Sequence, residues 1–94
     1  MQKSYIYILS NSTRNMLYIG VTSDLQKRIS DHKNGIGSSF AQKNHLKYLI
    51  YFEDFTAITQ AIAREKQLKN WHKDWQWNLI KSVNPEFNDL YDQL

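Results

Sequence analysis

Residues 5–22, YIYILSNSTRNMLYIGVT, decide how this chain folds. Residues 5–9 are β-branched, aromatic or leucine, the composition of a strand. Ser10-Asn11-Ser12-Thr13-Arg14-Asn15 is polar and turn-forming, and residues 17–22 read as the returning strand. The two make a hairpin with a longer loop. Strand alternation sets Tyr5 and Tyr7 on one sheet face, with Ile6 and Ile8 on the other.

Outward from the hairpin, Ser23 followed by Gln26 gives a capping box and Gly35 stands where a helix stops, so a helix is expected from about 24 to 34. The Gly-Ser stretch that follows, with Lys43, His45 and Lys47, reads as a mobile basic connection. Residues 48–52 form a third strand. Thr56 is placed to cap a helix over 57 to about 70, and another helix covers 73–83, with Trp75, Leu79 and Val83 recurring every four residues. Asn84-Pro85 offers a cap with proline at the first helical position. Phe87, Leu90, Tyr91 and Leu94 then form an i, i+3, i+4, i+7 stripe, which predicts a short helix packing back on the body. The order β-β-α-β-α-α implies an α+β fold, a three-stranded and largely antiparallel sheet flanked by helices. At 94 residues this is one domain, 1–94, with 83–94 as a helical extension.

Composition narrows the chemistry. The chain is 41% hydrophobic, enough for a globular core. It has no cysteine, which excludes disulfides, a cysteine nucleophile and cysteine-ligated zinc. Neither an apolar run of about 18 residues nor a signal-peptide core is present, so a soluble cytoplasmic protein away from membranes is expected. Residues 1–81 hold all twelve Lys and Arg against six acids, a balance of +6, while Glu86, Asp89 and Asp92 give the last thirteen residues −3. A basic body with an acidic tail fits a polyanionic ligand such as nucleic acid.

Glu65 is the most telling side chain. At about 100° per residue, Ile58, Ala61, Ile62 and Leu68 share one helical stripe, and Glu65 falls inside it. A lone buried carboxylate is costly, so it requires a cation, a metal or an open cleft. Lys69, four residues on, offers an ion pair in the favoured orientation, and spacing alone supports either account. Arg28 and His32 are an i, i+4 pair beside the buried Leu25 and Ile29, projecting along the rim of the core toward the hairpin. A snorkelling arginine and a half-buried histidine are their plain alternatives. Gly20 permits close approach of a backbone or a phosphate. Trp71, Trp75 and Trp77 with Lys69, His72, Lys73 and Lys81 form a basic-aromatic cluster. Trp75 fits the apolar stripe and belongs to the core; Trp71 and Trp77 are the better candidates for an exposed role, yet packing is the expectation for them too. His45 and His72 lack a third ligand at suitable spacing, so no zinc site is expected.

Tyr5-Ile6-Tyr7 and Tyr18-Ile19-Gly20, separated by ten residues and followed by Arg28, His32 and Glu65, resemble the GIY-YIG nuclease family. The resemblance runs from residue 5 to about 77. It is nearest to small standalone members akin to the N-terminal nuclease domain of the excision-repair subunit UvrC. Tyr5 stands where the family name has glycine, and the tyrosine that ends the motif, Tyr7, is kept. The resemblance implies a metal-dependent endonuclease acting on DNA, with structure-specific repair or recombination as its setting. It implies that Tyr7 acts as general base or orients the water, that Tyr18 and His32 help hold it, and that Arg28 neutralises charge on the phosphate. Glu65 would hold one ion, Mg²⁺ or Mn²⁺. Gly20, Lys33, Lys43, Lys69 and Lys73 are candidate nucleic-acid contacts. RNA presents the same phosphates, and the number of copies that assemble is not legible. An accessory targeting protein is a candidate partner, with no residue that points to it. The alternative is a nucleic-acid-binding module that keeps the scaffold with little turnover.

Overall fold

The computed structural model describes residues 3–94. Strands β1 (Ser4–Ser10), β2 (Leu17–Thr22) and β3 (Tyr48–Phe55) form one sheet in the order β2-β1-β3, with both pairings antiparallel. The central strand is the most apolar stretch of the chain, buried on both faces as a middle strand must be. Its alternation divides the core. Ile6 and Ile8 pack with Ile19, Ile50, Ala61, Leu68 and Ile80, under the helices α3 (Ile58–Lys69) and α4 (Lys73–Val83). Tyr7 and Leu9 pack with Leu25, Ile29, Ala41, Leu46 and Leu49, under α1 (Leu25–Lys33) and α2 (Ser39–Lys43). The expected α+β architecture is therefore the observed one.

Several local expectations are corrected. The cap of α1 is Asp24, whose side chain accepts from the Lys27 backbone N–H at 3.2 Å, rather than Ser23. Thr56 does not cap α3; Gln60 Oε1 accepts from the Ala57 N–H at 3.3 Å and from the Thr56 hydroxyl at 3.1 Å. The supposed basic connection contains α2, capped by Ser38 and anchored by buried Ala41 and Leu46. The tail packs back but not as an α-helix. Phe87 has φ +54°, which interrupts the turn begun at Asn84-Pro85, and only Tyr91–Gln93 winds into a 3₁₀ turn. Asn84 accounts for the difference, because its side chain bonds Ile50 O and Asn88 O at 2.9 Å and accepts from Asn88 N at 3.1 Å. Those bonds compete with helix formation. The tail then lies along β3, with Leu90 N donating to Leu49 O at 2.7 Å.

The rotation of α3 matters most for function. Ala61 and Leu68 are its buried residues, and at about 100° per residue Arg64 falls about 50° to one side of them and Glu65 about 50° to the other. Arg64 grips Glu53 of β3 with two bonds, at 2.9 and 3.0 Å, and lies over the Trp71 ring. The Tyr51 hydroxyl also donates to Glu53. This bidentate clamp fixes α3 on the β3 side and leaves Glu65 on the opposite flank. Ile58 and Ile62 lie further round that flank and are exposed, so the apolar stripe read from the sequence was centred too far round the helix.

On α4 the same error is larger. Ile80 is the buried residue and Trp77 packs on the core, whereas Trp75 is 57% exposed and Val83 is exposed too. Trp71 and Trp77 both pack against the Ile6 side of the core, as expected of them.

Candidate active site

Tyr7 sits opposite Gly20 in the β1–β2 ladder. A Cβ built on Gly20 would lie 2.5 Å from both Cζ and Oη of Tyr7. The tyrosine ring therefore lies across the glycine and carries its hydroxyl over β2. The space above Gly20, expected to admit a backbone or a phosphate, is filled by this ring. There the Tyr7 hydroxyl meets Nε2 of His32 on α1 at 3.2 Å. Tyr18 completes a triangle of rings, 6.3 Å from Tyr7 and 5.8 Å from His32. Gly37, with φ +129°, covers the imidazole so closely that a Cβ there would lie 3.0 Å from Cε1 and Nδ1. Sequence reasoning missed Gly37; its signal was a second glycine two residues after Gly35, a spacing suited to a loop that folds back.

Charge converges on the same hydroxyl. Burial, the neighbouring Tyr18 and Glu65 push Tyr7 up to about 12, while the Arg28 guanidinium opposes the rise. Arg28, one turn before His32 on α1, and Glu65, from the far side of the sheet, thus both act on Tyr7. Three of the five site residues touch, and the other two lie within electrostatic reach. Glu65 also carries the ion pair that its spacing allowed, 3.3 Å to Lys69. Among the described residues no three His, Asp or Glu side chains cluster into a metal cage. A single carboxylate fits Mg²⁺, which keeps most of its waters and takes the rest of its shell from phosphate.

Tyr5, the departure from the family pattern, packs edge-on against Phe52 of β3 at 6.5 Å. Of the candidate nucleic-acid contacts, Lys33 is paired with Asp89 at 2.5 Å and so clamps the tail, and Lys69 is paired with Glu65. Lys43 and Lys73 are exposed.

His32 is held below its ordinary value of 6.5 by burial and by Arg28, with Asp31 opposing. Its Nδ1 is buried with no hydrogen-bond partner, and the charge of Asp31 offsets the desolvation only in part. Between the lowered value and 6.5 the unfolded chain takes up a proton that the folded one refuses, so stability falls as pH falls through that window. Urea melts between pH 5 and 7 should show this decline, reduced in His32→Gln. An equal decline in both proteins would assign it to other groups.

Comparisons with known proteins bear on the family and the fold. A sequence model described as the GIY-YIG catalytic domain matches residues 3–79. A UPF0213 protein of Staphylococcus saprophyticus is 34% identical over 80 residues, covering 85% of this chain and 96% of that one. One from Clostridium perfringens is 35% identical over 79 residues, 84% of each chain. One from Syntrophus aciditrophicus is 32% identical over 87 residues, 92% of this chain and 98% of its own. In fold, the chain is similar to the solution NMR structure of a UPF0213 protein from Bacillus halodurans, with a TM-score of 0.59 at 22% identity over 93% of this chain and 92% of that one.

Proposed function

We propose that this chain, which belongs to the GIY-YIG catalytic domain family, is an endonuclease that hydrolyses DNA phosphodiester bonds with one bound divalent ion. The family is one of nucleases, which makes DNA the substrate class. The observation that carries the reading is the Tyr7–His32 hydrogen bond, set where Arg28 and Glu65 both act on the tyrosine oxygen.

The proton inventory follows from the two shifts. A phenol pushed up to about 12 stays protonated near neutral pH and cannot by itself be a pre-formed base. His32, lowered, stays neutral there. With its ring proton on Nδ1, Nε2 presents a lone pair to the Tyr7 hydroxyl. As water attacks phosphorus, its proton passes to Tyr7 Oη while the tyrosine's own proton passes to His32 Nε2. The bond to the 3′ oxygen breaks, and that oxygen takes a proton from solvent. Tyr18 walls the histidine and keeps the pair dry. Arg28 neutralises charge building on the non-bridging oxygens, which its planar fork suits. Glu65 would hold the Mg²⁺ or Mn²⁺, which supplies charge neutralisation at the phosphate and the leaving oxygen.

The test is a panel of labelled nicked, flapped, branched, duplex and single-stranded DNAs incubated with Mg²⁺, Mn²⁺ or EDTA. Product that forms with either metal and vanishes in EDTA is the expected result. Binding without product under any metal would instead identify a nucleic-acid-binding module on a nuclease scaffold. No described helix is long and apolar enough to cross a membrane.

A further inference from the structure

The segment joining α1 to α2 and the first turn of α2 each present a side chain that the hydrolysis leaves unused. Gly37 rests on His32, and around it Ile36 and Phe40 stand 58% and 49% exposed. An exposed apolar pair bordering a functional site marks a contact surface. Its surroundings indicate the occupant. Residues 34–52 contain Lys43, His45 and Lys47 and no Asp or Glu, while Lys33 beside them is taken up by Asp89. Such a segment suits a polyanion. Within a nucleic acid the apolar surfaces are the base faces, and these open to a side chain only where stacking is broken.

The mounting is firm. Gly35 (φ +78°) and Gly37 (φ +129°) bracket Ile36 and turn the chain back over the imidazole. The Ile36 N–H donates to Asp31 O at 2.8 Å, which ties it to the end of α1. Phe40 stands on α2, whose buried Ala41 lies in the same core cluster as Tyr7. The backbone that carries the two side chains is thus tied to the end of α1 and to the core cluster of Tyr7. Rigid support is what a side chain needs if it is to hold neighbouring bases apart.

We propose that Ile36 and Phe40 form a wedge that enters an opened base step of the DNA strand at the site, so that the substrate is DNA with broken stacking, such as a nick, flap or mismatch, rather than continuous duplex. This rests on the nuclease reading for its placement at the site, and the experiment separates the two.

The full chain carrying Glu65→Ala is bound to a flapped duplex with 2-aminopurine beside the branch, and compared with the same chain carrying Ile36→Ser and Phe40→Ser as well. Binding is followed by anisotropy, and circular dichroism checks that both proteins fold. The expected result is a rise in 2-aminopurine fluorescence with the first protein and none with the second, whose binding weakens by about tenfold, the order of one lost stacking contact. Without Glu65→Ala, the serine pair should also bring the cutting rates of flap and duplex together. Equal fluorescence with both proteins overturns the wedge, as does binding with no rise in either. A change in oligomeric mass without a change in the DNA signal overturns it too and assigns the pair to contact between copies. A rise that depends on Ile36 and Phe40 in a protein that cuts nothing leaves the wedge standing and sinks the nuclease. Cutting with unchanged fluorescence does the reverse, and failure to bind any DNA sinks both.

Discussion

Glu65→Ala should cut DNA at least about a hundredfold more slowly than the parent while melting at nearly the same temperature. The two halves of that expectation test two roles for one carboxylate. As a partner of Lys69 it makes an i, i+4 pair at 3.3 Å in which the lysine is 53% exposed. Pairs of that kind contribute about 0.2–1 kcal/mol, so their loss leaves the fold in place. As a metal ligand it would be, among the described residues, the one carboxylate that acts on Tyr7. Lys69→Met separates the roles further. The ammonium and a divalent ion compete for the same oxygen, so removing it should lower the Mg²⁺ concentration for half-maximal cutting by up to about fivefold, the factor an exposed pair can hold. A Glu65→Ala protein that cuts at the parent rate would reduce the residue to the lysine's partner.

What the sequence reveals about this site depends on which geometry carries each residue. Strand alternation is rigid, with a period of two, so the division of Tyr5 and Tyr7 from Ile6 and Ile8 was legible and held. Helical periodicity is weaker evidence. It finds an apolar stripe without saying which way the stripe faces. Trp75, Leu79 and Val83 do recur every four residues, yet of the three only Leu79 packs on the core, because Ile80 and Trp77 take the inward positions. On α3 the stripe was misplaced by about 45°, because the Arg64–Glu53 clamp that sets the rotation joins residues eleven apart on different elements. Glu65 was still recognisable, since a carboxylate among apolar residues is conspicuous wherever the stripe is centred. The tail was not legible as it folds. Its pattern is helical, but the bonds from Asn84 to Ile50 and from Asp89 to Leu49 exist only once β3 is in place.

Gly20 carries the second large effect, and its reason is also invisible before folding. Gly20→Ala should destabilise the protein by about 2 kcal/mol, the usual cost of overpacking a filled core. Cutting should fall by about a hundredfold, since small displacements of a reacting group cost that much. The added Cβ would lie 2.5 Å from Tyr7 Cζ and Oη and 2.9 Å from Cε1. The ring has no room to retreat. It is fully buried, with His32 5.8 Å and Tyr18 6.3 Å away, and any shift breaks its 3.2 Å bond to Nε2. A double-mutant cycle separates this clash from a general dislike of alanine in β2. Tyr7→Phe removes the hydroxyl but keeps Cζ, so in that background Gly20→Ala should cost nearly as much stability as in the parent. Tyr7→Leu removes the end of the ring, and there the same substitution should cost less than about 0.5 kcal/mol, a coupling typical of residues in direct contact. Neither Tyr7 variant should cut. If Gly20→Ala costs the same in the parent and in Tyr7→Leu, the glycine serves the strand. If the cost collapses as expected, it is there to let one tyrosine lie across β2 and reach the histidine.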